Sequence, residues 1–295
     1  SLLTVPSHSL RSSAMGVSET LCVVYVLIVL VALVVLLLRR ASKGELHWRT
    51  ITWKHITHDV RGMGPRRLGL LRLAMSAFVI TTLVVTALDT PWAFATFTIW
   101  CWSLIGLYLG IAGAASFLEG TACRETTGRK REILGCALWV CFEALFSTAI
   151  LVFFIVWLVL LPSSYLTTGH DANLLTFLPL CAHNLNVVFM GTEMLMNRLS
   201  FEPAHALFVL LYGMTYVVFS WLYFLLNSRH KFWYFFLDWR SFATPIWYTL
   251  LIGILWAAFV SGQRLVARAK AQLACELPGG ARDAWPTALE ATVPA

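Results

Sequence analysis

Charge is what this chain has least of. Asp, Glu, Lys and Arg make up 13% of its 295 residues, whereas 59% are hydrophobic. A water-soluble fold of this size needs about twice that charge to cover its surface. A soluble enzyme and a nucleic-acid-binding domain are therefore excluded. No Asn-x-Ser/Thr triplet occurs, so glycosylation offers no marker of sidedness. Cys101, Cys136, Cys141 and Cys181 lie inside apolar runs, Cys22 at the edge of one, and Cys123 and Cys275 in polar segments. That distribution has neither metal-ligand spacing nor a disulfide framework. A Gly-x-Ser-x-Gly elbow, a zinc motif, a phosphate loop and a dinucleotide fingerprint are all missing. No metal and no cofactor is expected.

What the chain does have is apolar length. Leu21–Leu38 is followed by Arg39 and Arg40, the reverse of a cleaved signal peptide, and reads as a first transmembrane helix. Further apolar runs follow at Leu70–Leu88, Trp92–Leu118, Ile133–Leu161, Leu174–Met196, Pro203–Leu226 and Phe242–Val266. Each has the ~17–20 residues that a ~30 Å hydrocarbon core requires. The expected fold is an all-α polytopic transmembrane bundle with seven spans. Its plan is an N-terminal tail over 1–20, a helix over 21–38, a basic connector over 39–68, a six-helix domain over 69–268 and a disordered tail over 269–295. Trp48 and Trp53 suggest that the connector lies along the membrane surface. The chain opens on Ser1, and Met15 is a candidate start.

Alternate connectors and the tail carry 17 Lys/Arg, against 4 on the opposite side, with Arg72 left inside a helix. Positive charge marks the cytoplasmic side, so the N-terminus is expected outside and the C-terminus inside. The expected setting is the endoplasmic reticulum or plasma membrane, with membrane lipids as partners and no nucleic acid.

The stretch Pro179–Arg198 organises the rest. It places His183, Asn184, Asn186 and Glu193 at membrane depth, where polar groups are costly and ask for a reason. On a helix, His183, Asn186, Met190 and Glu193 share one side. Pro179 is expected to kink the helix near His183. A buried polar seam holding helices together is the bland alternative. Glu143 is the one charge inside Ile133–Leu161, so it needs a partner. Counting from the helix ends at ~1.5 Å per residue puts Glu143 and His183 each about 15 Å deep, near the mid-plane, and Thr98 about 10 Å deep. His205, Tyr212, Tyr216 and Tyr223 form a stripe that either lines a cavity or packs between helices. A hydroxyl beside a neutral imidazole is the minimum for nucleophilic acyl transfer.

The pattern Phe94-x-x-x-Thr98-x-Trp100 with Tyr108, then His183, Asn186 and Glu193-Met194, resembles the Rolling stone-like and androgen-induced-type membrane proteins. Tyr216 and Tyr234-Phe235-Phe236-Leu237-Asp238 extend the resemblance, which covers roughly 68–268. It implies a six-helix bundle, to which Leu21–Leu38 is an addition. The androgen-induced branch hydrolyses fatty-acid esters of hydroxy fatty acids with an intramembrane Thr and His. By that resemblance Thr98 is the nucleophile and His183 the base, with Glu143, Asn186, Glu193, His205 and Tyr216 as a supporting polar centre. The Rolling stone branch, to which this chain looks closer, is associated with myoblast fusion. A non-enzymatic organiser of cell fusion or adhesion is therefore a second reading, and a small transporter using Glu143 and His183 a third.

Overall fold

The computed structural model describes residues 8–119, 129–171, 173–227 and 231–276. Ten α-helices carry the described chain: α1 (His8–Ser42), α2 (Trp53–Thr57), α3 (Pro65–Asp89), α4 (Phe97–Glu119) and α5 (Arg129–Ile155), then α6 (Leu161–Thr168), α7 (Phe177–Leu180), α8 (Asn186–Met196), α9 (Ala206–Leu226) and α10 (Thr244–Glu276). The only β pairing among the described residues is a single bridge between Asp59 and Asn197. The protein is an all-α, multi-pass membrane bundle.

Six helical stretches are long and apolar enough to cross a membrane: Gly16–Ser42, Pro65–Asp89, Phe97–Glu119, Arg129–Thr168, Pro203–Leu226 and Thr244–Gln272. The expected seventh, Leu174–Met196, is not among them. Its helical part, Phe177–Met196, consists of α7, a π turn at Cys181–Leu185 and α8, and its four polar residues dilute its apolar content. It nevertheless traverses the bundle. Near its start Asn184 accepts from Trp157 on the far part of the α5 stretch, and at its end Met196 accepts from the Val60 amide. Phe177 opens this helix, so Pro179 falls in the first turn, where its missing N–H has no intrahelical partner to lose. The irregularity is instead the π turn that follows. A second π turn, Val156–Leu160, precedes Pro162 and joins α5 to α6. Such a turn lets a helix absorb a residue that cannot donate to it.

The two ends of the bundle differ. The connector 39–68 lies at the basic end. It folds onto the helices, burying Leu46, Ile56 and Val60. Trp48 stacks on His205 at 4.9 Å, and Trp53 Nε1 donates to Glu119. The Asp59 carboxylate then accepts the Met63 and Gly64 amides and turns the chain into α3. Gly64 has φ +86, a left-handed conformation that favours glycine. At the aromatic end, Trp92 stacks on Trp233 at 4.8 Å. Ser18 donates to the Trp239 carbonyl there, and Tyr25 bonds Thr249, which seats α1 against the rest of the bundle. The segment expected as a tail from 269 is helical as far as Glu276, where α10 ends; residues 277–295 and most of the connector after Glu119 lie outside the described residues.

α3 and α4 approach most closely. A Cβ built on Gly69 would lie 2.6 Å from the Phe117 amide nitrogen, and one on Gly113 would lie 3.0 Å from Arg72 Cβ. Small residues at such a crossing let backbones touch in lipid, where van der Waals packing drives association.

Candidate functional site

The polar residues fall into two layers rather than one centre. In the layer toward the basic end, Arg72 and Glu193 are both fully buried. Arg72 Nε and Nη2 donate to the two Glu193 oxygens at 2.9 and 2.5 Å. Its Nη1 donates to the Ile56 carbonyl at 2.7 Å and to Ser116 Oγ at 2.6 Å. Glu193 Oε1 also accepts from Tyr108 at 2.8 Å and from Asn197 Nδ2 at 3.1 Å. Lys270 donates to Asn197 and to the Leu199 carbonyl. The pattern of apolar runs leaves Arg72 without a role, yet it is the ion that satisfies Glu193. Its signal in the sequence is an arginine two residues into an apolar run.

Glu143 belongs to the same layer. Its Oε2 lies 2.6 Å from His205 Nδ1, and its Oε1 accepts the Glu202 amide at 2.6 Å. His205 Nε2 faces the Leu46 carbonyl at 3.2 Å. Leu46 and Glu202 are connector residues, so Glu143 stands close to the basic end and not at mid-depth. α5 begins four residues before the apolar run, at Arg129, and its lower part is packed by the connectors. That is why counting from Ile133 misplaces the carboxylate. The stripe on α9 is also divided: Tyr212 meets Cys101 at 3.7 Å, while Tyr216 donates to the Ala95 carbonyl at 2.8 Å.

The outer layer contains Thr98 and His183. Thr96 is extended, with φ −90 and ψ 146, and separates the turn Pro91–Ala95 from α4. Thr98 therefore lies in the first turn of α4, where backbone amides lack helical partners. It is 6% exposed and lines a cavity of about 80 Å³ between α4, α5, α9, α10 and the segment 234–237. Apart from Thr98, Tyr216, Tyr234 and Tyr248 the wall is aliphatic, methionine, phenylalanine or glycine. Burial pushes the Tyr234 phenol above its ordinary value, against hydrogen bonds from the Thr98 side chain and the Thr98 and Phe97 backbone. Tyr216 and Tyr234 thus close over the start of α4.

His183, on the π turn, is 7% exposed, and its Nδ1 has no hydrogen-bond partner among the described residues; Asn186 Nδ2 is likewise without one. His183 does not line the cavity, and no hydrogen bond joins it to Thr98. The two do share a level. α4 and α8 run in the same direction, since Trp102 stacks on Phe189 and Tyr108 bonds Glu193. Thr98 precedes Tyr108 by ten residues and His183 precedes Glu193 by ten, so both stand about 15 Å outward of that bond.

Chemically, the arrangement offers one apolar chamber with a hydroxyl at its wall and, at the same level but outside the chamber, an imidazole whose Nδ1 is unpartnered. No group of three or more His, Cys, Asp or Glu among the described residues could hold a metal ion. Compared with known proteins, the chain matches no family model, and neither a curated protein nor a solved structure matches it.

Proposed function

We propose that this membrane protein binds the acyl chain of a lipid in the outer cavity and hydrolyses its ester: Thr98 attacks the carbonyl as His183 takes its proton, His183 returns the proton to the leaving alcohol, and water then cleaves the acyl–Thr98 ester. The observation that carries the reading is the cavity itself: about 80 Å³ of enclosed room within a nearly hydrocarbon wall, with the Thr98 hydroxyl on it. Apolar pockets with a few polar groups are the usual form of a small-molecule site. The shared level of Thr98 and His183, and the unpartnered Nδ1, support the pairing. A proton transfer between them needs the imidazole to approach the hydroxyl within hydrogen-bond reach. Such a protein would belong with the androgen-induced-type hydrolases, with esters of hydroxy fatty acids as substrate class. We place it in the endoplasmic reticulum or plasma membrane, N-terminus outside and basic end cytosolic.

The organiser reading has its own observation. Glu143, Glu193 and His205 are fully engaged with protein partners, so that layer needs no ligand to account for it. Transport through Glu143 and His183 has less support, because the two occupy different layers.

A diazirine-bearing fatty acyl probe, irradiated with the purified protein, tests the cavity. Adducts should map to its wall, around Leu210, Met214 and Leu255, and Leu210→Trp should remove them. Adducts spread over the outward faces of the helices, and unchanged by Leu210→Trp, would end the reading.

A further inference from the structure

A second cavity, of about 200 Å³, opens at the basic end between the connector, the 198–203 segment and α10. It differs in kind from the outer one, because its lining combines apolar side chains (Trp139, Phe201, Val266) with several hydrogen-bond donors.

Those donors have capacity to spare. Arg198 uses Nε on the Asp59 carbonyl at 2.9 Å, and neither of its terminal nitrogens has a partner among the described residues. His55 Nδ1 accepts the Thr52 amide at 2.9 Å, so a neutral ring carries its proton on Nε2, a second open donor. Burial first, and then the charges of Arg198 and Lys270, hold His55 below its ordinary value, which keeps that neutral form. The Gln263 amide and the Ser200 hydroxyl line the same space, and neither side chain makes a hydrogen bond to another described residue. The one carboxylate, Glu202, is already taken by His47 at 3.2 Å.

An array of open donors with one guanidinium, and with its only acid already engaged by His47 and the Ala204 amide, is complementary to an anion. The planar guanidinium fits phosphate or carboxylate oxygens in pairs. A bare inorganic ion would leave the apolar wall unused, whereas an amphiphile would cover it. We infer that this cavity is a binding site for the headgroup of an anionic phospholipid, its phosphate on Arg198, His55 and Gln263 and the first part of its chains against Phe201 and Val266. Basic pockets at this depth are the form such sites take in membrane proteins. The inference is independent of the outer cavity and of any hydrolysis there.

The test is binding to the full-length protein in neutral detergent, with short-chain dioctanoyl phosphatidic acid, dioctanoyl phosphatidylcholine and inorganic phosphate as probes. Phosphatidic acid should bind well above the other two. Arg198→Gln and Gln263→Leu should each weaken it about tenfold, the scale of one lost charge-assisted or well-placed hydrogen bond. Gln263→Leu breaks no bond within the protein, so it separates loss of binding from loss of fold. Inorganic phosphate binding as tightly as the lipid would overturn the inference, as would equal affinity for phosphatidylcholine. So would wild-type affinity in both variants.

Discussion

Replacing Arg72 by Met tests the buried network most sharply. The guanidinium is wholly inaccessible and spends its donors on both Glu193 oxygens, the Ile56 carbonyl and Ser116. Arg72→Met leaves the Glu193 carboxylate with only Tyr108 and Asn197. Removing one member of a buried pair costs about 3–5 kcal/mol, because the remaining charge is uncompensated. Glu193→Met strands the guanidinium instead and should cost a similar amount. The double variant carries no buried charge at this position. What remains is the unmade hydrogen bonds of Tyr108, Asn197, Ser116 and Ile56, on the order of 1 kcal/mol each after partial relaxation. The cycle should therefore show the double variant about 3–5 kcal/mol more stable than the sum of the singles. Titration with SDS from a mild detergent, followed by tryptophan fluorescence, reads these differences. A single Arg72→Met variant within about 1 kcal/mol of wild type, or strictly additive losses, would refute the account of this layer.

Three other outcomes are expected. Glu143→Gln should be tolerated better than Glu143→Leu, because leucine strands the Glu202 amide and His205 whereas glutamine keeps one acceptor; melting curves in detergent rank the two. Gly69→Ala should cost about 1–3 kcal/mol by forcing α3 from α4, since the added Cβ meets the backbone at Phe117; a stability equal to wild type would contradict that packing. Stability should also fall on acidification. His55 is held below its ordinary 6.5 by burial, so below about 6.5 the unfolded chain binds more protons than the folded one. The contribution is complete above that pH and lost as pH drops toward the folded-state value. His55→Asn, whose side-chain oxygen can still accept the Thr52 amide, should reduce the slope of stability against pH between 7 and 5.

Apolar run length made most of the bundle legible, since hydrocarbon thickness dictates it, and the apolar run at 203–226 agrees with the span found there. The alternation of basic connectors also placed them together, as the contacts of Leu46, Asp59, Glu119, Arg198 and Lys270 show at one end. Partnerships were less legible. Arg72 and Glu193 are 121 residues apart, and nothing local in either helix indicates the other. The depth of Glu143 was misjudged because a hydropathy pattern sees where a run turns apolar, not where connectors fold back over a helix. The first turn of α4 was hidden for a related reason: Trp92–Leu118 is continuous in hydrophobicity, and only the extended backbone at Thr96 interrupts it. That break is what brings Thr98 to a helix start and to the cavity wall.

The central claim is that Thr98 acts on a lipid ester in that cavity, and hydrolysis of a branched fatty-acid ester by the purified protein tests it most directly. Wild type should turn the ester over, Thr98→Ser should retain part of the rate, and Thr98→Ala and His183→Ala should each abolish it while melting normally. Because both groups serve one step, the double variant should be little worse than either single one. Thr98→Ala and His183→Ala proteins that fold normally and keep full turnover would contradict the claim.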